Sequence, residues 1–184
     1  MDQAKIKGQI ELLVQIVRCI CLKRELSKLN ATKKLNFWRV IQSSLFDQAV
    51  LGWTKVFGSN AEPSHWKGVV EDHNKFQIEL LTVLGIDEEK WSGYWEEMKI
   101  YRNEAVAHDF DDTNITHHPT FDIALNSCHF YYGHLIKNLR DLGSTQFPDS
   151  LKEYSDDFTE QIRSIAEIAV NATKDIEERE RKKY

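Results

Sequence analysis

An all-α fold is predicted from three observations. In every patterned stretch longer than ten residues, apolar residues recur at the three-and-four spacing of a helix. Only eight glycines and three prolines interrupt 184 residues, which leaves room for few turns and long helices. No stretch shows the strict apolar–polar alternation of a half-buried strand. The expected architecture is an antiparallel helical bundle of five to six helices. It forms one domain over residues 1–184, with a charged tail from about 177. A chain of this length buries about two-thirds of its unfolded surface on folding.

The elements follow in order. The first helix is predicted over about 3–29, with a stripe of Ile6, Ile10, Leu13, Val14, Val17, Ile20 and Cys21. A second runs from Leu35 to Phe57, with a broad aromatic stripe through Phe37, Trp38, Phe46 and Trp53. The run from Gly58 to Pro63 breaks it, because proline cannot continue a helix and glycine relaxes the backbone. Ser64 is predicted to cap a new start, with Trp66, Val69 and Val70 forming a short turn before a third helix near 72–84. Gly85 ends that helix. Asp87 caps a fourth, where Glu88 and Glu89 meet the positive end of the helix dipole. Its apolar face is Trp91, Tyr94, Trp95, Met98, Tyr101 and Ala105. A polar loop over 109–119 precedes a fifth helix over about 120–142, with Phe121, Leu125, Cys128, Tyr132, Leu135, Leu139 and Leu142 in register. After the break at 143–149, a last helix starts near Ser150 and is expected to bury Leu151, Tyr154, Phe158, Ile162, Ile165, Ile168 and Ala172.

Composition excludes several classes of function. No apolar run approaches the ~20 residues of a membrane span, and the N-terminus lacks a signal-peptide core, so a cytoplasmic protein is expected. Cys19, Cys21 and Cys128 are odd in number and lack metal-ligand spacing. His117 and His118, beside Pro119 and near Asp111 and Asp112, are adjacent side chains that project apart, so a loop rather than a metal site is expected. No glycine-rich phosphate cradle is present, and no cofactor is expected. Trp38, Trp53, Trp91 and Trp95 fall on apolar stripes and read as core. The net charge of −5 is uneven: residues 1–39 hold nine Lys/Arg against three Asp/Glu, net +6. An acidic protein needs a local basic face to touch RNA. The residues Lys5, Lys7, Arg18, Lys23, Arg24, Lys28, Lys33 and Lys34 are the sizeable candidate, with a solvated helix face as the alternative.

The chemistry concentrates in Tyr101-Arg102-Asn103-Glu104-Ala105-Val106-Ala107-His108, at the end of the fourth helix. Arginine offers a permanent, fork-shaped cation suited to a phosphate. Histidine offers a proton donor or acceptor that titrates near neutral pH. On an ideal helix Arg102 and His108 lie about 120° apart, yet a chain end that swings can bring both to one cleft. The competing reading is a surface ion pair of Arg102 with Glu96 or Asp109, and His108 as a helix C-terminal residue beside the last carbonyls.

This arrangement resembles the motif of HEPN-domain proteins. The pairs Arg102-Asn103 and Ala107-His108 match the family habit. Leu45-Phe46-Asp47-Gln48, Trp53, Phe57-Gly58-Ser59 and His65-Trp66 look like the second-helix region of HEPN proteins related to abortive-infection systems. The resemblance covers roughly residues 5–175. It implies a metal-independent endoribonuclease, a toxin or phage-defence effector, whose cleft forms between two protomers. Arg102 would neutralise the scissile phosphate, His108 would act as general acid or base, and Asn103 would orient the phosphate or the imidazole. The implied partners are RNA, a second copy of the chain, and an antitoxin or other regulator. The wide apolar faces of the second and fourth helices are the expected dimer surface. Two features depart from the pattern: the acidic balance, and Asp109, Asp111 and Asp112 directly after the histidine. The alternative is a catalytically silent HEPN-fold dimer that binds a nucleotide or a protein partner. A plain helical interaction protein is the third possibility.

Overall fold

The computed structural model describes residues 3–29, 35–59, 61–106 and 118–176, the side chains of Ala105 and Val106 excepted. His108, the acidic run after it and the charged tail from 177 lie outside the described residues. The described residues form six α-helices: α1 (Gln3–Lys28), α2 (Asn36–Phe57), α3 (His73–Leu84), α4 (Glu88–Tyr101), α5 (Asp122–Asp141) and α6 (Leu151–Ala172). A 3-10 turn, Trp66–Gly68, precedes α3, and a π-helical turn, Arg102–Val106, continues α4. Helix takes up 79% of the described residues and no strand occurs among them, so the all-α class holds. No described helix is long and apolar enough to cross a membrane.

The first helix forms the centre of the bundle. Ile6, Ile10, Leu13, Ile16, Val17 and Ile20 have no exposed surface, and each such burial stabilises by roughly 1.5–3 kcal/mol. Side-chain pairings give the directions of its neighbours. Ile16 meets Gly52 and Ser27 meets Gln42, so α1 and α2 are antiparallel. Gln9 meets Tyr131 and Arg24 meets Asp122, so α5 is antiparallel to α1 as well. Arg18 meets Tyr154 and Glu25 meets Arg163, so α6 runs parallel to it. Gly52 allows the closest approach: a Cβ there would lie 2.6 Å from Ile16 Cγ1, inside contact distance.

Local chemistry sets the helix ends. Asp72, Asp87 and Ser150 accept from the backbone N–H of Lys75, Lys90 and Glu153, capping α3, α4 and α6. Gly85 closes α3 at φ 63°, a left-handed conformation that glycine adopts without a Cβ penalty. Ser64 is not the cap predicted for it. The 3-10 turn begins after His65, whose Nδ1 accepts from the Lys67 N–H at 3.2 Å, while the Ser64 carbonyl accepts from Gln9 Nε2.

Three burials expected of the last helix fail, and one of the fifth. Ile165 and Ile168 are 65% and 70% exposed, and Ala172 is exposed as well. The α6 stripe is wider than the groove that α1 and α2 offer, so beyond Ile162 it is Ala166, with Ala169 and Val170 partly buried beside it, that faces inward. Leu142 lies past the end of α5 and is half exposed. The apolar faces of α2 and α4 are also not free for a second copy. Phe46, Val50, Trp53, Val56 and Phe57 of α2, and Trp91, Tyr94 and Met98 of α4, all belong to the intramolecular core. At the start of α2 the large apolar residues Phe37 and Val40 are exposed, although Phe37 falls on the predicted stripe.

Candidate functional site

The end of α4 is held from one side and open on the other. Tyr101 packs its ring against Phe46 and donates its hydroxyl to Asp47 Oδ1 at 2.9 Å. Burial pushes the Tyr101 phenol up, and the Asp47 carboxylate adds to the shift, so the hydroxyl remains a donor. Met98, one turn earlier, is fully buried. These contacts fix the last α turn against α2. The chain then widens into the π-helical turn Arg102–Val106, a deviation from α geometry that is common at functional sites.

Arg102 begins that turn, half-buried. Its Nε and one Nη donate to the same acceptor, Asn103 Oδ1, at 3.0 and 2.8 Å. The neighbouring amide therefore holds the guanidinium, a role different from the phosphate or imidazole contact expected of Asn103. The ion pair foreseen as the competing reading is not made with Glu96, which instead sits 3.4 Å from Lys99 Nζ. Asp109 and His108 lie outside the described residues, so two of the three sequence-chosen site residues, Arg102 and Asn103, are placed, and they are together.

Arg102 opens onto a groove of about 620 Å³, within the size range of small-molecule sites. One wall is the outer face of α4, with Glu88, Trp91, Ser92, Trp95, Lys99 and Arg102 at helical spacing. The opposite wall is Phe57 and Gly58 at the end of α2, His65 and Trp66 before α3, and Leu80 of α3. Lys67 adds a third cation at the rim. Glu88 is the acidic member among the lining residues described, and its Oε1 accepts from Gln77 at 2.7 Å. Trp95 donates its indole N–H to the carbonyls of Phe57 and Gly58 at 2.8 and 3.2 Å, which fixes its ring plane. Lys99 Nζ lies 4.6 Å from the centre of that ring.

The apolar stripe alone does not reveal the groove, because Trp95 lies on it and does pack against the core while half of it lines the groove. The signal was available: Trp95, Lys99 and Arg102 share one helix face, and an aromatic followed by two cations on one face is unusual for a buried stripe.

The basic face predicted at the N-terminus is largely committed elsewhere. Arg24 pairs with Asp122 at 2.7 Å and Lys28 pairs with Glu25. The Arg18 guanidinium lies over the rings of Tyr154 and Phe158. Lys23, Arg24 and Lys28 do line a second cleft, of about 580 Å³, together with His118 and Phe121. His118 packs against Phe46 and Tyr101. Among the described residues no group of three or more His, Cys, Asp or Glu side chains is placed to hold a metal ion. The cysteines are buried and unbridged, and burial pushes their thiols up.

Comparison with known protein families, curated proteins and solved structures finds no match to this chain.

Proposed function

We propose that this chain is a metal-independent endoribonuclease of HEPN type, acting as a toxin or phage-defence effector in the cytoplasm. The observation that carries the reading is the placement of Arg102. It is a guanidinium held by Asn103 at a π-helical turn, opening onto a groove whose cations are Lys67, Lys99 and Arg102 itself. Oriented cations in a partly dry groove stabilise the charge that grows on a phosphate in the transition state. His108, six residues on, supplies general acid or base help, worth roughly 10²–10⁴-fold. In this reading the neutral His108 imidazole takes the proton of the substrate's 2′-hydroxyl as that oxygen attacks phosphorus; the bond to the 5′-oxygen breaks, and that oxygen takes a proton from the imidazolium so formed. A two-fold dimer places two such turns face to face. The same groove favours a second reading, a catalytically silent HEPN-fold dimer that holds a nucleotide.

The deciding experiment is incubation of purified protein with total RNA and with tRNA in the presence of EDTA. Cleavage is expected to persist and to leave 2′,3′-cyclic phosphate ends, while single-stranded DNA remains intact. Arg102→Ala and His108→Ala are expected to lose cutting with helicity unchanged. Chelator-sensitive cleavage, or full activity of the His108 variant, removes the mechanism. A protein that is dimeric by light scattering yet cuts no RNA supports the silent reading, and a strict monomer removes the composite site.

A further inference from the structure

We infer that the groove beside Arg102 is a subsite for one nucleotide of single-stranded RNA, with the base stacked on Trp95 and the phosphate between Lys99 and Arg102. The inference rests on the reading of Arg102 as the phosphate-facing cation and extends it to a binding surface. It starts from spacing. Trp95 and Lys99 lie four residues apart on α4 and Arg102 follows three residues later at the start of the π-helical turn, so the three form one stripe along which the backbone rises about 6 Å from Trp95 to Lys99. That is the length scale of a single nucleotide, and it presents an aromatic face first and positive charge next.

The state of each group fits the assignment. The Trp95 ring is held edge-on by its hydrogen bonds to Phe57 and Gly58, so its plane is set before any ligand arrives. Lys99 covers the ring at 4.6 Å and otherwise meets Glu96 at 3.4 Å on an exposed helix face. A surface pair of that kind contributes little. The ammonium can therefore leave the ring for a phosphate, and the ring face it uncovers is a stacking platform for a base. His65 is buried at the groove floor with Nδ1 engaged by the Lys67 N–H, which leaves the ring proton on Nε2. Among the described lining residues three cations stand against the carboxylate of Glu88, with Glu96 beside Lys99 outside the lining, which gives this part of the groove a positive sign in a chain whose net charge is −5. An anionic aromatic ligand uses both the charge and the rings. An acidic peptide uses the charge alone, which is why RNA is favoured.

The test uses a short single-stranded RNA made with 2′-O-methyl sugars, which binds but cannot be cut by 2′-hydroxyl attack, followed by fluorescence anisotropy. Lys99→Gln is expected to weaken binding several-fold and to lower the salt dependence by about one counterion. Ser92→Glu, an exposed change on the same wall, is expected to weaken it as well. Trp95→Ala is expected to cost roughly tenfold, and that loss should vanish against an abasic ribose-phosphate chain of the same length, a signature that a merely structural role for Trp95 does not produce. Unchanged affinity in Lys99→Gln and Ser92→Glu, with wild-type helicity by circular dichroism, overturns the subsite. So does absence of binding by the wild type, or competition by polyglutamate as effective as by RNA. The two readings separate cleanly. Binding with the expected variant losses but no cleavage of unmodified RNA keeps the subsite and removes the nuclease. Wild-type cleavage by both exposed variants keeps the nuclease and removes the subsite.

Discussion

Trp53 of α2 has no exposed surface, and its indole N–H donates to the buried Ser127 hydroxyl at 2.9 Å. Its ring is surrounded by Phe57, Trp91 and Tyr94, with centroids 5.3–5.8 Å away. Trp95 of α4 also has its N–H satisfied, at 2.8 Å by the Phe57 carbonyl, yet it is half-buried and its ring face meets the ammonium of Lys99. Both residues lie on apolar stripes of helical period. The difference between them is that the core ends between one side of α4 and the other. A stripe wider than the surface it covers leaves its edge residues lining a groove, where a ring is still rigid but its face is accessible.

The strongest way to break that contrast is Trp53→Ala. It should cost about 3–5 kcal/mol, because the surroundings of a large core ring collapse only in part. Urea titration checks it, and a loss no larger than that of Trp95→Ala would mean the two sites are not different in kind.

A pH experiment probes the groove floor. Burial pushes His65 down to about 4, with Lys67 and His73 acting in the same direction. Between that value and the ordinary 6.5 the unfolded chain binds a proton that the folded chain refuses, so stability falls as pH drops through this window and levels off below it. The full effect is roughly 3 kcal/mol. Burial likewise pushes His129 down to about 4 and lowers His134, so His65→Gln should remove roughly a third to a half of the slope measured by denaturation at a series of pH values. An unaltered slope would mean that His65 is not dry.

Trp95→Ala comes next, at about 2 kcal/mol, from its half-buried ring and its lost hydrogen bonds. The sharper expectation is that this modest loss of stability accompanies a clear loss of RNA affinity, whereas conservative changes at Trp53 affect stability alone. Smallest is Asp87→Ala, which removes the N-cap of α4 for about 1 kcal/mol. Thermal melting should register it without a change in groove binding, since the cap lies at the far end of the helix from Arg102.

Much of the architecture was legible in the chain itself. Caps at Asp87 and Ser150, the left-handed Gly85 and the alternation of buried positions along α1 are local properties, set by side-chain hydrogen bonds and by the 3.6-residue period. The exposure of Ile165 and Ile168 was not legible, because a stripe records which residues are apolar and not how much of it a neighbour covers. The site was half legible. Arg102 and Asn103 stood out by residue type and position, but the bond between them, and the use of Asn103 as a brace for the guanidinium, depend on the side chains' placement at the π-helical turn.

By itself the sequence determined an all-helical chain, the order and approximate ends of its helices, and the place where an arginine and an amide meet at a helix end. Those follow from interactions between residues a few positions apart. Tertiary structure alone decided which aromatic rings are core and which are groove, which lysines are spent in ion pairs, and that Lys67, Lys99 and Arg102 border one space. These depend on segments far apart in sequence being brought together, and a local pattern carries no information about the partner it will meet.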